Sequence, residues 1–153
     1  MIKVLFICHG NICRSPMAEF VCKDMVAKKG WANKIYIASA ATTTEEIGNP
    51  VHRGTVQKLA QYGISTKGKT ARQVTKADYA EYDYLLCMEN QNLRELKRIL
   101  PSDPAHKIYR LLDFSDRPRD IADPWYTGNF DVSYDDILEG CEAFLRHIAP
   151  ELS

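Results

Sequence analysis

Short runs of uninterrupted apolar residues alternate along the chain with longer stretches in which apolar residues recur every three or four positions. Val4-Leu5-Phe6-Ile7 has no polar member, as a strand buried on both faces requires, and predicts a strand from Lys3 to Ile7. Met17, Val21 and Met25 then fall on one helical face, with Ser15 read as the cap and Pro16 at the first helical position, where its missing N–H costs nothing. Ile35 to Ala38 predicts a second strand, and Gly48-Asn49-Pro50 a turn. Val51, Thr55, Val56, Leu59 and Ala60 predict a helix stopped by Gly63. Tyr84 to Met88 predicts a third strand, followed by a helix through Leu93, Leu96 and Leu100 that Pro101 ends. Ile108 to Leu112 is the fourth predicted strand. The stretch from Asp113 to Phe130 is rich in Asp, Pro, Arg and Gly and reads as an extended loop. Ser133 is the expected cap of a last helix whose apolar face carries Ile137, Cys141, Phe144, Leu145 and Ile148.

Strands alternating with helices predict a single α/β domain over residues 1–153, a four-stranded parallel sheet flanked by helices on both faces. In such sheets ligands bind beyond the carboxyl ends of the strands. The first strand ends at Cys8, and the segment Cys8-His9-Gly10-Asn11-Ile12-Cys13-Arg14-Ser15-Pro16 follows it directly.

Composition narrows the functions open to this chain. The 20 Lys and Arg balance the 20 Asp and Glu, so no basic field for nucleic acid exists and anion affinity must come from a local site. No run approaches the roughly 18 apolar residues of a membrane span, and the N-terminus lacks a charged region, apolar stretch and cleavage site in series, so a cytoplasmic location without membrane partners is expected. Five cysteines, an odd number without C-x-x-C spacing, predict reduced thiols. Four scattered histidines argue against a metal site or a Cys-His pair. No metal or cofactor is expected.

A thiol at a strand end, five intervening residues and an arginine at a helix start describe a pocket for a phosphate-sized dianion with a nucleophile at its floor. Backbone amides of His9, Gly10, Asn11, Ile12, Cys13 and Arg14 would point inward, and the Arg14 fork would take two phosphoryl oxygens. A helix N-terminus and a guanidinium favour the Cys8 thiolate.

These residues resemble the low-molecular-weight protein tyrosine phosphatases, whose signature is C-x5-R-[ST]-P close to the N-terminus. The similarity extends to Ser39-Ala40, Ala71-Arg72-Gln73, Cys87-Met88 and Asp123-Pro124. It implies a flavodoxin-like, phosphotyrosine phosphatase I-like fold and metal-independent, two-step hydrolysis of phosphotyrosine through a phosphocysteine on Cys8. Asp123 would protonate the departing phenolate and then activate water. Ser15 would donate to the thiolate, and Asn11 would hold the loop through a network including Ser39; a plain helix cap and a residue tolerant of left-handed geometry are their simpler readings. Trp125 and Tyr126 would wall the pocket against a phenyl ring, with anchoring of one ring in the core as the other reading. Ile12 points the same way, because relatives specialised for phosphoarginine tend to carry threonine there. Cys13 is either a redox partner able to close a reversible disulfide with Cys8 or a small buried residue. The expected partner is a phosphotyrosine protein or peptide, with inorganic phosphate as product and the enzyme a monomer.

Three positions depart from the family pattern. His9 replaces a common leucine and is read either as a tuner of substrate preference or, by preference, as a solvated ring. Lys69 stands where many relatives have a histidine supporting the asparagine network. Residues 43–47 lack the tryptophan some relatives place on the opposite wall. A thioredoxin-coupled arsenate reductase would need a second cysteine soon after Cys87, which is missing. A binding module without turnover would have no use for Cys8, Arg14 and Asp123 together.

Overall fold

The computed structural model describes residues 1–152. Four strands, β1 (Ile2–Cys8), β2 (Ile35–Ala41), β3 (Tyr84–Cys87) and β4 (Ile108–Arg110), form one sheet in the order β2-β1-β3-β4, with all three pairings parallel. The helices are α1 (Arg14–Lys28), α2 (Arg53–Ala60), α3 (Lys76–Glu81), α4 (Asn90–Leu96), α5 (Pro124–Thr127) and α6 (Phe130–Ile148).

The alternation within β1 divides the core. Val4, Phe6 and Cys8 pack with Met17, Val21 and Cys22 of α1 and with Ile137, Cys141 and Phe144 of α6. Leu5 and Ile7 face the other side, against Val74, Tyr82, Leu85, Leu96 and Leu100. Both faces of β1 are therefore sealed, which accounts for a strand without polar interior residues. Burying these side chains contributes roughly 1.5–3 kcal/mol each before the entropy of ordering them is offset. Because β2 lies on one side of β1 and β3 on the other, the chain reverses direction of winding at β1. Its carboxyl end, where Cys8 sits, is the topological switch point at which such sheets bind ligands.

Several boundaries differ from the sequence expectation. Helix α1 begins at Arg14 with Cys13 before it, so Ser15 lies inside the first turn and its hydroxyl is used elsewhere. Asn129, whose side chain accepts from the Val132 amide at 3.1 Å, caps α6; Ser133 lies within it, buried, and donates to the Ala122 carbonyl. The stretch from Asp113 to Phe130 is more ordered than a loop. A 3₁₀ turn spans Leu111–Phe114, which also shortens β4, and α5 forms one helical turn capped by Asp123. Helix α4 ends at Leu96, leaving Leu100 buried outside it. Helix α3 has no counterpart in the sequence reading.

Candidate active site

At the end of β1 the chain folds into a loop around the Cys8 sulfur. The amides of Asn11 and Ser15 point at Sγ from 3.3 and 3.4 Å, and the Ser15 hydroxyl lies 3.0 Å away. This geometry requires Asn11 in the left-handed region, with φ of 59°. Its side chain repays that strain within the loop. The amide donates to Ser15 Oγ at 2.8 Å and to Ser39 Oγ at 2.9 Å, while its oxygen accepts from the Arg72 amide at 3.2 Å. Because Ser15 Oγ accepts from Asn11, its hydroxyl hydrogen is free to turn to sulfur.

Ser39 passes the network on by donating to Glu19, a carboxylate only 4% exposed on α1. Lys69 closes it: the ammonium donates to the Ser39 carbonyl at 2.8 Å and lies 3.7 Å from Glu19. Burial pulls the Lys69 pKa below its ordinary value despite the neighbouring carboxylate. The position at which many relatives carry histidine is thus occupied by a donor that reaches the same serine segment. Lys23 takes the second Glu19 oxygen at 2.6 Å.

Arg14 is 2% exposed and its guanidinium is fully directed. One nitrogen donates to Glu89 and, at 2.8 Å, to the Ile121 carbonyl; another lies 3.3 Å from Asp123 Oδ2. Burial works to lower its pKa, but the facing Cys8, Asp123 and Glu89 outweigh it and raise it, so the guanidinium stays charged. Asp123 is placed by α5: its Oδ1 accepts from the Trp125 amide at 3.0 Å, and Pro124 supplies the first helical residue.

Cys8, His9, Gly10, Ile12, Cys13, Arg14 and Asp123 line one cavity of about 130 Å³, with Glu45, Glu46, Trp125 and Tyr126 at its mouth. Trp125 and Tyr126 are 56% and 82% exposed, as rings walling an open mouth would be. His52 sets the angle of Trp125. Its ring lies edge-on to the indole at 5.4 Å, stacks on Phe130 at 5.5 Å, and accepts from the Gly54 amide at the start of α2. The His52 amide in turn donates to the Ile12 carbonyl, fastening α2 to the loop. Cys13 is buried, and burial together with the nearby Cys8 pushes its thiol up to about 12. All five cysteines are free.

Residues 3–153 match the family model described as low molecular weight phosphotyrosine protein phosphatase. The chain belongs to that family. A low molecular weight protein-tyrosine-phosphatase of Bacillus subtilis, YfkJ, is 44% identical over 99% of this chain and 98% of its own length. The crystal structure of YfkJ superposes with a TM-score of 0.96 at 43% identity, covering 100% of this chain and 98% of that one. A low molecular weight phosphotyrosine protein phosphatase of Gallus gallus is 43% identical over 94% of each chain. A structure described as a Drosophila arginine phosphatase superposes with a TM-score of 0.87 at 35% identity, over 95% of this chain and 97% of that one. Protein tyrosine phosphatase activity follows from these relationships.

Every site residue expected from the sequence lies in or directly beneath this one cavity. Sequence reasoning missed five others. Glu89 orients Arg14, Glu19 anchors the Asn11 network, and His52 supports Trp125. Glu89 carried a usable signal, since it stands just past the end of β3, at the same carboxyl-terminal end of the sheet as Cys8. The fourth and fifth are Glu95 and Glu45, which together hold His9. Ring nitrogens Nδ1 and Nε2 lie 2.9 and 2.8 Å from Glu95 and Glu45, so the solvated reading of His9 is overturned. No helix among the described residues is long and apolar enough to cross a membrane, and no cluster of His, Cys, Asp and Glu among them could hold a metal ion.

Proposed function

We propose that this enzyme hydrolyses phosphotyrosine in proteins or peptides through a phosphocysteine on Cys8. The reading is carried by one arrangement: the Cys8 sulfur, supported by the Ser15 hydroxyl and two amides, faces a cavity flanked by the buried Arg14 fork and by Asp123. The thiolate attacks phosphorus and an S–P bond forms as the P–O bond to the phenol breaks. Asp123 gives its proton to the departing oxygen. Loop amides and Arg14 bind the equatorial oxygens, where negative charge is spread in the transition state. In the second step the Asp123 carboxylate takes a proton from water, the new O–P bond forms, and the S–P bond breaks to release inorganic phosphate and regenerate the thiolate.

One structural neighbour is described as an arginine phosphatase, so the preference for an aryl leaving group has to be carried by the residues around the pocket. Ile12 in the cavity wall and the exposed Trp125-Tyr126 pair favour an aryl ester, since an apolar wall and two rings accept a phenyl group by contact and stacking. A monomer acting in the cytoplasm without metal or cofactor completes the reading.

The test is multiple turnover of an aryl phosphate in the presence of a chelator, with acid-quenched intact mass for the phosphoenzyme. Turnover should persist in the chelator, vanish in Cys8→Ser, and leave a phosphorylated species that maps to Cys8. Hydrolysis retained by Cys8→Ser would sink the covalent mechanism.

A further inference from the structure

His9 follows the nucleophile directly, and its side chain leans across the mouth of the phosphate pocket rather than into solvent. Nδ1 meets Glu95 Oε2 at 2.9 Å and Nε2 meets Glu45 Oε2 at 2.8 Å, with the ring about one-third exposed. The two carboxylates come from different elements. Glu45 belongs to the segment between β2 and α2, whose Thr43 amide and hydroxyl both donate to the His9 carbonyl. Glu95 belongs to α4, is 14% exposed, and is itself held by Thr42 at 2.7 Å and Gln91 at 3.3 Å.

Carboxylates only accept hydrogen bonds. A neutral imidazole has one N–H, so it would satisfy one of these contacts and press a lone pair against the other. Both contacts are favourable only for the imidazolium. In agreement with this, burial pulls the His9 pKa down but the two carboxylates outweigh it and raise it above the ordinary value. Glu95 is shifted the opposite way, downward, by Thr42 and His9 against the effect of burial.

We propose that His9 is a positioning residue for substrate binding: its imidazolium ties the Glu45 segment to α4 across the pocket mouth and offsets two carboxylates that would otherwise face the incoming phosphate. The inference rests on the phosphatase reading of the pocket and deepens it. Other charged groups surround the ring in the two adjoining cavities: Glu46, Glu89, Asp120 and Asp123 as anions, with Arg14 as the cation beside Cys8. Arg14 is already engaged by Glu89 and Asp123, and Asp120 by Arg110. Loss of the His9 proton therefore leaves the rim more negative without another cation placed to compensate. It also breaks one end of the tie. Substrate, a dianion, binds better to the protonated enzyme, and KM rises as pH passes upward through the His9 pKa. A unit charge on the rim of a dianion pocket changes binding by roughly three- to tenfold.

The experiment compares KM and kcat of an aryl phosphate from mildly acid to mildly alkaline pH for the wild type, His9→Leu, His9→Gln and Glu45→Gln. Dividing each variant's KM by the wild-type value at the same pH removes the titrations of Cys8 and of the substrate, which all share. The expected result is a roughly three- to tenfold wild-type limb above pH 6.5. That limb is absent in both His9 variants and reduced in Glu45→Gln, and the kcat profiles keep their shape. Imidazole NMR of the wild type supplies a second readout that needs no variant to fold. Tungstate, an oxyanion that stays dianionic over this range, should raise the His9 pKa by the logarithm of the same factor, because linkage is reciprocal. Parallel KM profiles, or a His9 titration indifferent to tungstate, would overturn the proposal while leaving the phosphatase reading intact. Absence of both turnover and tungstate binding would remove both.

Discussion

Asp123→Asn separates proton donation from every other task of that side chain. Asp123 Oδ1 accepts from the Trp125 amide at 3.0 Å as the cap of α5, and an asparagine oxygen makes the same bond about equally well. Arg14 keeps Glu89 and the Ile121 carbonyl when it loses Asp123. Stability should therefore change by no more than about 0.5 kcal/mol, which in a chain of this length moves Tm by roughly 2 °C or less. The catalytic loss should be far larger. A positioned general acid contributes about 10²- to 10⁴-fold, or roughly 3–5 kcal/mol of barrier. The size must depend on the leaving group: 4-nitrophenolate departs with little help, whereas a simple phenolate, with a conjugate-acid pKa of about 10, needs its proton. The assay is kcat/KM for 4-nitrophenyl and phenyl phosphate, which reports steps up to cysteine phosphorylation even where phosphoenzyme breakdown limits kcat. The nitrophenyl ester should lose toward the lower end of that range and the phenyl ester toward the upper end. KM should not rise, because the asparagine amide carries no charge that could repel the dianion. Equal losses for the two esters, or a phenyl loss below tenfold, would refute the assignment of Asp123 as the acid.

Three further outcomes are expected. Asn11→Gly removes the bonds to Ser15, Ser39 and the Arg72 amide but tolerates the positive φ, whereas Asn11→Ala loses both, so Ala should be the less stable by about 1 kcal/mol in urea titrations; equal stability would show that backbone geometry is not what Asn11 provides. Gly54→Ala would set a Cβ 2.2 Å from Phe130 Cζ, costing roughly 1–3 kcal/mol and, by shifting the ring stack behind Trp125, raising KM for aryl phosphates; unaltered Tm and KM would contradict the packing described. The buried thiols of Cys13 and Cys87 stay protonated well above the ordinary 9.0, chiefly through burial, so their contribution to stability is complete below pH 9 and declines above it as the unfolded thiols ionise. By pH 10 this amounts to about 1.4 kcal/mol per thiol, and Cys87→Ala should flatten the decline measured by denaturant titration between pH 8 and 10.

The sequence carried the parts of this architecture that are local. A strand sealed on both faces needs an unbroken apolar run, and Val4 to Ile7 is one. The Cys8 to Arg14 spacing and the Asp123-Pro124 helix start are likewise written in adjacent residues. Local rules failed where several residues compete for one role. Asn129 and Ser133 are both competent caps, and the choice falls to Asn129 because Ser133 is required inside the helix to bond the Ala122 carbonyl. At position 15 only the cap reading fails: the loop must close around sulfur before α1 begins, so helical geometry starts at Arg14 and the hydroxyl lies against Cys8, as the family resemblance implies. Helix α3 is six residues, three of them charged, with Tyr79 as its main apolar anchor, too short for periodicity to register. The ionic partners of the site could not be paired from the sequence for a different reason. Glu89 lies 75 residues from Arg14 and Glu95 lies 86 from His9, so only the assembled sheet brings each pair together.

The two departures from the family pattern nearest the nucleophile turn out to have complementary electrostatics. Beneath the loop, Lys69 and Glu19 support Ser39 and through it Asn11; even with burial lowering its pKa, an ammonium begins far above neutrality, whereas a histidine at this position would start near it. Above the loop, His9 holds Glu45 and Glu95, and those carboxylates outweigh burial and raise its pKa above the ordinary imidazole value. The scaffold that shapes the thiolate site is thus separated from the group whose protonation alters the rim. An imidazole in both places would make loop geometry and rim charge titrate together. With lysine below and histidine above, rising pH acts first on how the phosphate is received, while the hydrogen bonds that hold Cys8 ready for attack keep their partners.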